Sequence, residues 1–89
     1  IPPRLQNTRP VGEWNSAEIR IEDGQVQHFQ NGEKVVEFQL GTQDWRELVA
    51  GSKFPGLNPT WVDVPTRGYI GLQDHNDNVW YRNIKLKEL

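Results

Sequence analysis

Apolar positions change their spacing along this 89-residue chain, and each change marks an element. From residue 17 to 22, Ala17, Ile19 and Ile21 alternate with Glu18, Arg20 and Glu22. A period of two sends one set to each face of a strand. Asp23-Gly24 follows, a pair suited to a type I′ turn because both central residues must take positive φ. Residues 25–30 read as a second strand, Asn31-Gly32 as a second tight turn, and residues 33–40 as a third strand with Val36, Phe38 and Leu40 on one face. The pattern predicts a three-stranded antiparallel meander.

Beyond Leu40 the period lengthens. Thr42 can cap a short helix over residues 42–50, in which Trp45, Leu48 and Val49 fall at i, i+3, i+4. Gly51 stands where a left-handed residue would end it. Residues 54–66 hold three prolines and read as a long loop, a length that is often functional in a compact domain. Alternation resumes over residues 68–73, with Ile70 and Leu72 opposite Tyr69. It returns over residues 80–86, where Trp80, Ile84 and Leu86 oppose Asn83 and Lys85. These two runs are expected to be strands flanking a polar turn, with Trp80 and Trp45 in the core. Residues 1–12 hold three prolines and little periodicity, and read as an extended arm ahead of a domain spanning 13–89.

Composition narrows the field. The formal charge is −2 and the basic residues are scattered, so there is no electrostatic case for a nucleic-acid partner. Without cysteine there is no disulfide framework, thiolate nucleophile or cysteine metal site. His28 and His75 follow no ligand spacing, so no metal or other cofactor is expected. No apolar run reaches the length of a membrane span. The chain opens on Ile1-Pro2-Pro3 with no initiator Met, as expected of a piece cut from something longer.

Two stretches carry a resemblance. GLQDHNDNVWYRNIKLKEL, residues 71–89, is similar to the C-terminal signature of the 3-keto-disaccharide hydrolase domain family, formerly a domain of unknown function. RPVGEWNSAEIRIEDGQVQHFQNGEKVVEFQL, residues 9–40, resembles the same family's Gly-Glu-Trp-Asn segment, hairpin and Asn-Gly turn. The family often has Gly after Gln-Asp-His, where this chain has Asn76; Asn tolerates left-handed geometry better than most residues. The resemblance implies an all-β fold, an antiparallel concanavalin-like jelly-roll sandwich of which this chain is the C-terminal half, with one short helix. It implies a partner for the open apolar faces, either the N-terminal half of the domain or another copy of the chain. It also implies a periplasmic or secreted bacterial location.

Chemistry could sit at the polar turn. His75 can exchange a proton near neutral pH, and the adjacent Asp74 could fix its tautomer. The plainer reading is that Asp74 accepts turn N–H groups and His75 lies over Tyr69 or Tyr81. Glu13, Glu18, Asp44, Asp63, Asp74 and Asp77 form no convincing carboxylate pair of the kind glycosidases use. The residues alone therefore demonstrate no enzyme. The resemblance implies hydrolysis of 3-keto-glycosides, for which a base and an oxyanion donor matter more than a carboxylate pair. On that reading His75 and Asp74 are the candidate catalytic pair. Gln73 and Lys53 would bind sugar oxygens, Trp61 and Trp14 could stack on a sugar ring, and Asn15 could meet hydroxyl groups. The plainer reading is that Trp61 folds back over the sheet, and Trp14 could equally staple the start of the first strand. A non-catalytic carbohydrate-binding module is the alternative.

Overall fold

Three strands, β1 (Ala17–Glu22), β2 (Gln25–Gln30) and β3 (Glu33–Gln39), pair antiparallel in the order β1-β2-β3 in the computed structural model, which describes residues 1–58, 60 and 63–89. Both tight turns form as their residues dictate. Asp23 and Gly24 take φ of 51° and 77°, and Asn31 and Gly32 take 50° and 83°. Gly24 suits its positive φ, and a Cβ there would only displace the end of the flexible Gln39 side chain, 2.7 Å away.

Register decides what the sheet buries. Ile19 lies opposite His28 and Ile21 opposite Val26, while His28 faces Val36 and Val26 faces Phe38 across the other ladder. These six residues share one face. Val26 and Val36 are buried, but Ile19 and Ile21 on the edge strand are 65% and 57% exposed. The core therefore lies under β2 and β3, and includes Val35, Trp45 and Val49. His28 is half-buried and meets Phe38 edge-on at 6.0 Å.

The β2–β3 ladder carries a bulge. Phe29 opposes Lys34 and His28 opposes Val36, so Val35 is an extra residue with no partner on β2. A bulged residue leaves the ladder locally broken. Here the Val35 carbonyl accepts a hydrogen bond from the Arg4 amide at 2.7 Å. The proline-bearing arm is thus tied to the sheet. Asn7 adds a second tie through its side-chain amide, which donates to the Gln30 carbonyl.

Helix α1 (Gln43–Ala50) starts as expected, with Thr42 Oγ1 accepting from the Trp45 amide at 3.2 Å. Trp45 and Val49 are buried but Leu48 is half-exposed. At about 100° per residue, Leu48 and Val49 flank Trp45 on opposite sides, and the helix is turned toward Val49. The expected left-handed ending at Gly51 does not occur: its φ is −78°. The Ser52 amide and hydroxyl both donate to the Val49 carbonyl, so a left-handed residue is not needed to satisfy it. A further single turn, α2 (Phe54–Leu57), falls where an unbroken loop was expected. Pro55 sits in its first turn, where a missing N–H costs nothing.

The largest difference concerns the C-terminal third. Neither 68–73 nor 80–86 forms a strand, and every described residue from Asp63 to Leu89 is exposed. Trp80, expected in the core, is 73% exposed, with Ile70 at 75% and Leu86 at 80%. Alternation specifies which side of a strand is apolar, but a strand also needs a neighbouring edge for its backbone hydrogen bonds. Asn83 takes φ of 55° in the middle of the last run, which breaks its extended path. The architecture is all-β, an antiparallel sheet with little helix.

Candidate functional site

The polar turn between the two C-terminal runs is a closed loop. The Tyr81 hydroxyl donates to the Gln73 carbonyl at 2.5 Å, so the chain leaves and returns at one neck. Between them the backbone bends at residues 75–77. Asn76 takes φ of 64°, in the left-handed region that its residue type tolerates. A shallow open depression on this loop is lined by Asp74, Asp77, Asn78, Val79 and Trp80. Its chemistry is two carboxylates, a carboxamide and an exposed indole. His75 is exposed in the same loop. Among the described residues no hydrogen bond joins Asp74 to His75, and neither side chain is engaged by an ion pair.

Trp14 meets the residue just past the neck. The Arg82 guanidinium carbon lies 4.1 Å from the Trp14 ring centroid, a close cation–π stack. Trp14 remains 44% exposed. It thus serves as the seat for Arg82, with part of its ring still open to solvent.

Asn15 has a different setting. Its Oδ1 accepts from the Arg9 amide at 2.9 Å and from the Asn31 side-chain amide at 3.0 Å. Asn31 also donates to the Asn7 carbonyl and accepts from the Ser16 amide, both at 2.9 Å. This knot joins the arm, the start of β1 and the β2–β3 turn, so the Asn15 carboxamide oxygen is already spent on backbone order. Lys53 is exposed, with its ammonium nitrogen 5.7 Å from the Phe54 ring centroid. Trp61 lies outside the described residues.

The structure therefore brings Gln73, Asp74 and His75 together on one closed loop and sets Trp14 against its C-terminal stem. Sequence reasoning missed Tyr81 and Arg82 in those roles. Their contacts cross 8 residues for Tyr81 and most of the chain for Arg82, and no local spacing reports either. Among the described residues no group of three or more His, Cys, Asp or Glu is placed to hold a metal ion, and no helix is long and apolar enough to cross a membrane.

Comparison with known proteins places the chain. A curated 3-keto-disaccharide hydrolase of Bacteroides thetaiotaomicron is 42% identical over 97 residues, covering all of this chain and 33% of the relative. The chain thus spans about a third of that relative's length. The family described as 3-keto-alpha-glucoside-1,2-lyase-like domain matches residues 1–87, which takes in the arm, the meander, both helices and the closed loop. The chain belongs to the 3-keto-alpha-glucoside-1,2-lyase-like domain family.

Proposed function

We propose that this chain is a segment of a carbohydrate-active domain that cleaves 3-keto-disaccharides by elimination followed by hydration. The observation that carries the reading is the 42% identity, over the whole chain, to a protein named for that hydrolysis. The family's description speaks of a 1,2-lyase and the relative's name of a hydrolase. One reaction sequence accommodates both words. A ketone at C3 acidifies the hydrogen on C2. A base removes that proton, the C2 electron pair forms the C1–C2 double bond, and the C1–O bond breaks with protonation of the departing oxygen. Water then adds across the double bond, and the net change is hydrolysis of the glycosidic bond.

Within this chain His75 suits the proton transfers, since an imidazole both accepts and donates near neutral pH. It is exposed on a loop whose neck is closed by Tyr81. Asp74 and Gln73 precede it in the chain and are assigned to sugar hydroxyls, and the exposed Trp80 indole, which lines the depression with Asp74, offers a face for a pyranose ring. The uncovered apolar residues Ile19, Ile21, Ile70 and Leu72 belong, on this reading, against a second sheet supplied by another part of the domain. A periplasmic or secreted location is part of the same proposal and rests on the resemblance.

The test is turnover of a 3-keto-disaccharide by the polypeptide in its encoded length, with and without His75→Ala. Loss of turnover with substrate affinity retained supports the reading, with general acid–base catalysis contributing about 100- to 10,000-fold. Binding without turnover in the unaltered protein would instead favour a carbohydrate-binding module.

A further inference from the structure

We infer that Tyr81 and Arg82 are positioning residues that hold the 74–80 loop, and with it His75, in one arrangement through a two-point clamp. This deepens the proposed function and rests on it for the catalytic consequence, though not for the mechanical one. The first point is the neck, where the Tyr81 hydroxyl reaches back to the Gln73 carbonyl at 2.5 Å. The second is the seat, where Arg82 lies 4.1 Å from the centroid of the Trp14 ring.

The two act in different ways. The neck fixes the ends of the loop relative to each other, so the bend at residues 75–77 is closed over a short span. The seat fixes the loop relative to the sheet, because Trp14 immediately precedes the Asn15–Asn31 knot that holds the start of β1 against the β2–β3 turn. Adjacent residues in extended chain point to opposite sides, which lets neighbouring Tyr81 and Arg82 reach two different anchors. No strand pairing or burial restrains residues 63–89 among those described, so these side-chain contacts carry the ordering of the loop. Neither Arg82 nor Trp14 has an ion pair or hydrogen-bonded side chain among the described residues. The stack is the contact that defines where the guanidinium sits.

The clamp also changes what Trp14 is for. With Arg82 over its ring, Trp14 contributes to sugar chemistry by locating the loop.

Tyr81→Phe keeps the ring and removes the neck hydrogen bond. Arg82→Ala removes the seat, while Arg82→Lys restores a cation over the indole. Backbone amide NMR order parameters of residues 74–78 in the encoded-length protein read the mechanical consequence. They should fall from the rigid range of about 0.85 toward the flexible range below about 0.6 in Tyr81→Phe and in Arg82→Ala, with Arg82→Lys returning part of the order. Turnover of a 3-keto-disaccharide reads the catalytic one, with kcat falling several-fold, KM little changed and the melting temperature unmoved. Unchanged order parameters in both Tyr81→Phe and Arg82→Ala overturn the clamp. Lower order parameters with unaltered kcat in an active enzyme overturn the positioning role. Lower order parameters in a protein that turns over no 3-keto-disaccharide leave the clamp standing and remove the proposed function.

Discussion

Lys34 and Glu37 are three residues apart on β3, yet they lie on the same face of the sheet and are joined Nζ to Oε2 at 2.5 Å. A regular strand would place them on opposite faces. The extra residue Val35 resets the alternation between them. One bulge therefore creates an ion pair and frees the carbonyl that Arg4 uses.

That ion pair has a pH signature. The Lys34 ammonium and the Gln27 side-chain amide, with a smaller contribution from the positive charge of Arg4, hold the Glu37 carboxyl below its usual range. A carboxyl whose folded pKa is lowered adds stability that is present above the unfolded pKa and lost as pH falls through the folded one. Stability should therefore decline on acidification through and below the ordinary carboxylate range, and Glu37→Gln should flatten that part of the curve. Urea denaturation from pH 6 downward checks it. The same slope in the variant would assign the acid sensitivity to other groups.

Arg4→Pro removes the N–H that serves Val35. A buried acceptor left without its donor costs about 1–3 kcal/mol, so the urea midpoint should fall by a corresponding amount. Arg4→Ala keeps the N–H and should lose much less. Equal losses in the two variants would place the effect in the Arg4 side chain and not in the bulge contact.

Asn31→Gly keeps the positive φ of the β2–β3 turn but removes the side-chain bonds to Asn7, Asn15 and Ser16. The expected cost is about 1–3 kcal/mol, accompanied by faster exchange of the Ser16 amide. Asn31→Ala should lose roughly 1 kcal/mol more, because it adds left-handed strain to the same loss. If the glycine variant matches the unaltered protein, the knot contributes nothing to stability.

At the loop, Asn76→Gly should be tolerated, since φ of 64° suits glycine at least as well as asparagine. Asn76→Val should strain the bend by about 1–2 kcal/mol. The loop is exposed throughout, so this strain should show in backbone order parameters of residues 74–78 and in turnover, with the melting temperature hardly moved. A global loss of stability in Asn76→Val would mean that the loop is part of the cooperative fold.

The Asp23-Gly24 and Asn31-Gly32 pairs, with alternation on each side of them, were enough to read the meander, because turn type and register are local properties. Thr42 marked the helix start for the same reason: a cap reaches only to the third residue on. The closed loop was legible as a polar turn with a left-handed Asn76, but its closure and its seat were not. Tyr81 meets Gln73, and Arg82 meets Trp14, only once the chain has returned upon itself.

Sequence by itself determined the three strands, their two turns, the capped helix and the family, since each depends on neighbours within a few residues or on a motif. Tertiary structure alone decided the bulge at Val35, the attachment of the arm through Arg4 and Asn7, and the state of the C-terminal third. Alternation in residues 68–73 and 80–86 states a preference for two faces, but a strand exists only where a second edge accepts its hydrogen bonds. Contacts between distant residues set where such edges lie, and no period along the chain encodes them.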